Sequence, residues 1–199
     1  MNQDSSNIIL GIDPGTLLMG YGIICLKGKN LHLIEMGVLR LKNTRDSYER
    51  LQKIHEKVTA LIDLHHPDSF AIEAPFYGKN VQSMLKLGRA EGVAIAAAMQ
   101  AGLRVCEYSP KKIKQAVTGN GNASKEQIWQ MLEKMLYFHE KPRYFDATDA
   151  VAVAVCHHFQ QKLPNFGTSD NSKSWADFIL EHPEKIVSKK PRQSLRTSS

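Results

Sequence analysis

The sequence predicts an α/β fold, a five-stranded mixed sheet flanked by helices on both faces. Two observations predict it. Short apolar, β-branched runs alternate with segments of helical period in the order βββαβαβ, followed by further helices. With 199 residues, the chain is also long enough for one ordinary domain with a real core.

The elements follow in order. NIILGIDPG, residues 7–15, is an apolar run ending in Asp, Pro and Gly, and reads as a buried strand with Asp13 at its C-terminal end. GYGIICLKG and LHLIEMGVLRLK flank the turn residues KGKN, so the first three strands form an antiparallel meander. From Asp46 to His66 the apolar residues Tyr48, Leu51, Ile54, Val58, Leu61 and Leu64 recur at helical steps, and Pro67 stops the helix. SFAIEAP is a fourth strand, carrying Glu73 near its end. The segment 80–102 is a long helix closed by Gly102, and LRVCEY is the fifth strand. Ser109 and Pro110 suit the N-cap and first turn of a short helix. Ser124 caps an amphipathic helix after the loop GNGN, a poor match to a phosphate-binding loop. The last helix spans about Asp146 to Gln161. One domain is expected over 1–163. Residues 164–199, rich in Pro, Ser, Asn and Lys, read as a largely disordered basic tail with one helical turn near SWADFILEH.

Composition narrows the class. A hydrophobic fraction of 42% and a charged fraction of 23% are those of a soluble globular protein. No apolar run reaches the ~18 residues a membrane span needs, and MNQDSSNIIL lacks the features of a signal peptide. Cys25, Cys106 and Cys156 have no metal-ligand spacing. A cytoplasmic protein with no membrane partner is the expectation. The net charge is +6, with 19 Lys/Arg against 16 Asp/Glu over 1–159 and 7 against 4 over 160–199. That balance points weakly to an anionic partner such as nucleic acid.

Four acids stand out by position. Asp146 and Asp149 share one helix face, one turn apart. Taken alone they also suit an N-cap and the N3 position of that helix. Asp13 follows strand one and Glu73 follows strand four, where α/β folds build sites. Asp13 before Pro-Gly equally makes a good turn, and Glu73 an ordinary strand-end acid. If strands one and four are parallel neighbours, both acids leave the same edge, and a last helix crossing it brings Asp146 and Asp149 to them. Four carboxylates together require a counter-charge, which hard cations such as Mg²⁺ or Mn²⁺ supply. Two such ions ~4 Å apart activate water and stabilise the leaving oxygen of a phosphodiester.

IILGIDPGTLLMGYGII, FAIEAPFYGKNVQSMLKLGRAEGVAI, YSPKKIKQAVTGNGNASKEQI and DATDAVAVAVCHH resemble, in order, the RuvC family of Holliday-junction resolvases. The resemblance covers roughly residues 7–160. It implies an RNase H-like fold, a homodimer, and paired symmetric nicks in four-way junction DNA that leave 5′-phosphate and 3′-hydroxyl ends. It implies Mg²⁺ or Mn²⁺, two per subunit, held by Asp13, Glu73, Asp146 and Asp149, and a branch-migration helicase complex as a partner. Thr148 stands where the family often has Ala. Lys114 and Lys125 match basic positions used near the scissile phosphate; by charge alone they read as a solvated face. Lys111 and Lys112 are expected to be ancillary phosphate contacts, and Lys79 a further DNA contact. Phe76 and Tyr77 can stack on unpaired bases or pack on the core, and Phe76 matches an aromatic placed at the junction centre. Gly88, Gly92 and the alanines of the long helix allow close approach to the sheet or to a second subunit; a two-fold junction needing two cuts favours an isologous dimer.

Three rivals are weighed against this. GIDPGT also resembles the first phosphate loop of actin-like ATPases and sugar kinases, but only 39 mostly polar residues follow residue 160. A non-catalytic junction-binding module would be favoured by loss of an acid, and all four are present. An RNase H-like nuclease acting on RNA shares the acid cluster, and only the flanking resemblance separates it.

Overall fold

The computed structural model describes residues 7–28, 30–75, 80–138 and 145–162. Its elements are β1 Asn7–Asp13, β2 Leu18–Lys27, β3 Asn30–Arg40, α1 Ser47–His65, β4 Ser69–Glu73, α2 Val81–Gln100, β5 Val105–Tyr108, α3 Pro110–Thr118, α4 Lys125–Leu136 and α5 Phe145–Lys162. The sheet order is β3-β2-β1-β4-β5. The first three strands form the predicted antiparallel meander. β1 and β4 are parallel neighbours, and β4 is parallel to β5. The fold is therefore RNase H-like α/β.

The helix ends are chemically marked. The Asp46 carboxylate accepts from the Glu49 N–H at 2.9 Å, and Asn80 caps α2 in the same way at 3.0 Å. Ser124 and Gln127 form a reciprocal capping box at the start of α4. α1 ends at His65, and His66 takes a left-handed conformation before Pro67, which disfavours a helical predecessor.

Strand alternation sends successive side chains to two separate cores. Leu10 and Ile12 of β1 and Phe70 and Ile72 of β4 pack with Ile54, Val58 and Leu61 of α1 and Ala94 and Ala98 of α2. Ile9 and Ala71 face the other way, onto Ile113 of α3, Leu132 of α4 and the apolar run of α5. Burying each large aliphatic side chain stabilises the fold by roughly 1.5–3 kcal/mol.

Two expectations need correction. Tyr48 and Leu64 were assigned to the apolar face of α1 by their spacing, yet they are 73% and 69% exposed. They lie near the ends of α1, past the reach of the core, where periodicity has nothing to pack against. α5 begins at Phe145, so Asp146 lies inside its first turn and is not the cap.

The middle of α5 is buried on every side, with Ala150 to Cys156 fully enclosed. Glycine makes this possible. Gly11 on β1 lies under Ala150 and Ala154, and Gly20 on β2 lies under the Asp146 carbonyl; a Cβ at either would collide with helix backbone. The helix therefore rests its backbone directly on the sheet. Among the described helices, none is long and apolar enough to cross a membrane. The expected tail over 164–199, and Phe76, Tyr77 and Lys79, lie outside the described residues.

Candidate active site

The site begins with strand parity. Asp13 is two residues beyond Gly11 and Glu73 two beyond Ala71, so both carboxylates leave on the face that α5 covers. Ile12 and Ile72 are paired in the parallel register, which places Asp13 and Glu73 side by side at the C-terminal edge. Gly20 is the cross-strand partner of Asp13 and also the seat of the Asp146 backbone. One residue without a side chain thus brings the first turn of α5 down onto the strand end that carries Asp13.

A cleft of about 300 Å³ opens there, lined by Asp13, Glu73 and Asp149, by Lys114 and Lys125, and by apolar Pro110, Ile113, Ile128 and Ala152. Asp146 is outside this lining but close enough to act on its neighbours' charge. Burial and then the charges of Glu73, Asp149 and Asp146 hold the Asp13 carboxyl well above the usual carboxylate range. Burial, then Asp149, pushes Glu73 up to about 7, against the opposing pull of Lys125 and Lys114. Burial also raises Asp149, even though Lys125 lies against it.

The two lysines are anchored differently. Lys125 Nζ donates to Asp149 Oδ2 at 2.6 Å, and Asp149 is 13% exposed in its side chain. Burial disfavours the Lys125 ammonium, but the bond to Asp149 and the charges of Asp146 and Asp13 outweigh it and raise its pKa. Lys114 Nζ donates to the Ala123 carbonyl at 2.9 Å, fastening α3 to the turn from which Lys125 projects. Lys111 and Lys112 lie apart from the acid cleft, lining a separate surface hollow with Ser109 and Gln160. The Thr148 hydroxyl donates to the Phe145 carbonyl at 2.7 Å within the helix and takes nothing from the acids.

The donor set suits a hard cation. It is oxygen-rich and partly desolvated, and burial with the neighbouring carboxylates disfavours the ionised forms of Asp13 and Glu73, which a hard cation would favour. Among the described residues no three acidic, histidine or cysteine side chains already converge as a complete ligand set. Of the two lysines that line the cleft, Lys125 is the one whose ammonium is seated on an acid, Asp149.

Sequence reasoning missed what lies behind the cleft. Tyr108 is the register partner of Glu73, and its hydroxyl is 2.8 Å from His157 Nδ1. Gln161 Nε2 donates to His157 Nε2 at 2.8 Å, and Asn7 Nδ2 donates to Gln161 Oε1 at 3.0 Å. The Ser69 hydroxyl is 3.1 Å from the same His157 nitrogen. With Nε2 accepting, His157 is the neutral Nδ1–H tautomer and donates to Tyr108. Burial, then Arg104 and His158, lowers its pKa to about 4, consistent with a neutral ring. A histidine inside an apolar helical run was the one available sign of this network.

Comparison with known proteins identifies the group. Residues 9–157 match the family model described as crossover junction endodeoxyribonuclease RuvC. A protein of that name from Cytophaga hutchinsonii is 57% identical over 180 residues, covering 90% of this chain and 88% of its own. Another from Porphyromonas gingivalis is 50% identical over 182 residues, covering 90% and 96%. Among solved structures, T. thermophilus RuvC in complex with Holliday junction substrate is 32% identical, with a TM-score of 0.73 over 78% of this chain and 94% of that one. The yeast mitochondrial Holliday junction resolvase, at 16% identity and a TM-score of 0.57, shares the fold. The chain belongs to the RuvC family of crossover junction endodeoxyribonucleases.

Proposed function

We propose that this chain resolves four-way DNA junctions, making paired symmetric nicks that leave 5′-phosphate and 3′-hydroxyl ends. Family membership supports the endonuclease reading. The observation that carries the site assignment is the set of like-charged carboxyls at one strand edge, pushed up by burial and mutual repulsion beside two lysines.

Asp13, Glu73 and Asp149, with Asp146 beside them, are the residues that would hold Mg²⁺ or Mn²⁺, two per subunit. Such ions, when bound, activate water and stabilise the leaving oxygen of a phosphodiester. The protein's own part is positional and electrostatic. The sheet fixes Asp13 and Glu73, and Gly20 lets α5 deliver Asp146 and Asp149 to them. Apolar Pro110, Ile113 and Ile128 limit water on one wall. Lys125 and Lys114 offer positive charge to the phosphate, Lys125 after leaving Asp149 and Lys114 with its remaining N–H groups. Lys111 and Lys112 are ancillary phosphate contacts, Phe76 stacks on bases unpaired at the crossover, and Tyr77 and Lys79 are further DNA contacts.

Two cuts in a two-fold junction need two such sites. The outward stripe of α2 supports a homodimer. Val81, Leu85 and Met99 are 67%, 62% and 65% exposed, and at Gly88 and Gly92 a Cβ would meet nothing within 4 Å. A second copy laid along that stripe would cover an apolar face at close approach. Action on chromosomal DNA alongside a branch-migration helicase, in the cytoplasm, completes the reading, with 164–199 as a basic tail that adds non-specific affinity.

The test is cleavage of a labelled four-way junction with a mobile core against a linear duplex of matching sequence, in Mg²⁺, Mn²⁺ or EDTA. Symmetric, metal-dependent nicks in the junction alone are expected. Tight binding without cleavage would identify a non-catalytic module, and equal cutting of both substrates a general nuclease.

A further inference from the structure

On the other face of the sheet edge, a second cleft of about 250 Å³ lies between the start of α1 and the first half of α2. Its walls carry Arg45, Arg50, Lys86 and Arg89, and none of its described lining residues is acidic. Its floor is apolar, made of Leu51, Ile54 and Ala90, and Thr16 and Ser47 add hydroxyls. Arg50 is pre-oriented, because its Nε donates to the Thr44 carbonyl at 2.6 Å and Thr44 is itself buried. The nearby acids are engaged elsewhere: Asp46 caps α1, and Glu49 pairs with Lys53 at 2.7 Å. Among the described residues, Arg45, Lys86 and Arg89 have no acidic partner. Four like charges gathered round one hollow repel each other, and an anion relieves that.

We propose that this cleft is a second binding site for the phosphodiester backbone of the junction, a few nucleotides from the phosphate held at the acids. The inference rests on the junction-binding reading above. Guanidinium groups suit phosphate oxygens in a fork geometry. The apolar floor favours a nucleic-acid backbone over a free anion, since sugars alternate with phosphates along a strand and inorganic phosphate has no use for Leu51 or Ile54. Placement agrees. Thr16 is three residues beyond Asp13, so their Cα atoms are at most about 11 Å apart. A strand rises ~3.4 Å per phosphate, so about three phosphates bridge that span. A strand crossing the edge of the sheet would thus be gripped on both sides, with the acids on one face and four cations on the other.

The test is junction affinity in EDTA, where no cleavage occurs, measured against KCl concentration for Lys86→Gln/Arg89→Gln and, separately, Arg45→Gln. A control pair, Lys27→Gln/Lys134→Gln, removes the same charge away from the cleft. The double variant is expected to bind about 10-fold more weakly at moderate salt, with a log–log salt slope shallower by about one to two. Its melting temperature should be unchanged. Arg45→Gln should show the same effect in smaller measure, and the control pair little. Equal losses in both pairs would reduce the effect to the general field of the protein and overturn the site. So would an unchanged slope in the cleft variants while the wild-type chain still binds and cuts the junction. If the wild-type chain itself fails to bind or cut, the functional reading falls first. Inorganic phosphate that competes beyond its ionic strength would reassign the cleft to a free anion.

Discussion

Two polar clusters lie on the same face of the sheet, the one that α5 covers, towards opposite ends of that helix, and they are built on opposite principles. Towards the C-terminal end of α5, Tyr108, His157, Ser69 and Gln161 form a network in which each polar atom of the His157 ring has a partner within 3.1 Å. At the front, where α5 begins, Asp13, Glu73 and Asp149 share a cleft whose carboxyls are raised by burial and by neighbouring carboxylates. A satisfied network stabilises a fold, because each removed partner leaves an orphaned group. A cluster of like charges destabilises the fold that contains it and is explained by what it binds. The difference supports reading His157 as structural and the acids as the proposed site, without reference to either's rarity.

The largest expected effect breaks the front cluster. Asp149→Asn should lower junction cleavage by more than about 100-fold, beyond the range seen when only a ligand's supporting partner is lost. Junction binding and melting temperature should be retained. Cleavage assays beside gel-shift titrations check it; full cleavage by Asp149→Asn would remove the acid from the metal set.

Gly20→Ala should damage both clusters at once, because α5 carries members of each. A Cβ there meets the Asp146 carbonyl, which cannot move without lifting the helix. Overpacking of this kind costs about 1–3 kcal/mol. A displacement of Asp146 near 1 Å should cost cleavage roughly 100-fold. Thermal melting and single-turnover cleavage on the same preparation measure both.

His157→Ala should do the reverse of Asp149→Asn. Orphaning the buried Tyr108 hydroxyl should cost about 1–3 kcal/mol of stability. Cleavage per folded molecule, measured well below the melting temperature, should stay within a few-fold of wild type.

The smallest effect is the most discriminating. Glu73 has a folded pKa raised to about 7 from 4.5, so its ionised form is disfavoured in the metal-free fold. Its contribution is most favourable below pH 4.5 and is lost as pH rises towards 7. His157 acts on the acid side: its folded pKa is about 4 against 6.5, so stability is lost as pH falls below 6.5 towards 4. In EDTA, the melting temperature of Glu73→Gln relative to wild type should therefore rise by a few degrees between pH 5 and 7.5. A constant difference across that range would show that Glu73 is not strained in the fold.

Much of this was legible in the sequence because the relevant signals are local. Periods of two and of three to four residues separated strands from helices, and Asp46, Ser109 and Ser124 marked helix starts. Asp13 and Glu73 could be placed at strand ends, but their adjacency waited on the parallel pairing of β1 with β4. The start of α5 was legible to about a residue, but whether Asp146 caps the helix or sits in its first turn was not, because a carboxylate suits both. The Tyr108–His157 network joins residues 49 apart, and no local pattern announces it. The cationic cleft likewise draws on residues 16, 45–54 and 86–90, each an unremarkable charge or turn residue where it stands.

The central claim is that the front cluster is a cation site. It is tested most directly by the melting temperature at pH 7.5 with and without Mn²⁺, for wild type and for Asp13→Asn/Glu73→Gln. Binding to the folded state alone raises stability by RT ln(1 + [L]/Kd). The account predicts that Mn²⁺ raises the wild-type midpoint and leaves the double variant unmoved, with the variant starting at or above wild type in EDTA. No rise in wild type, or an equal rise in both, would contradict it.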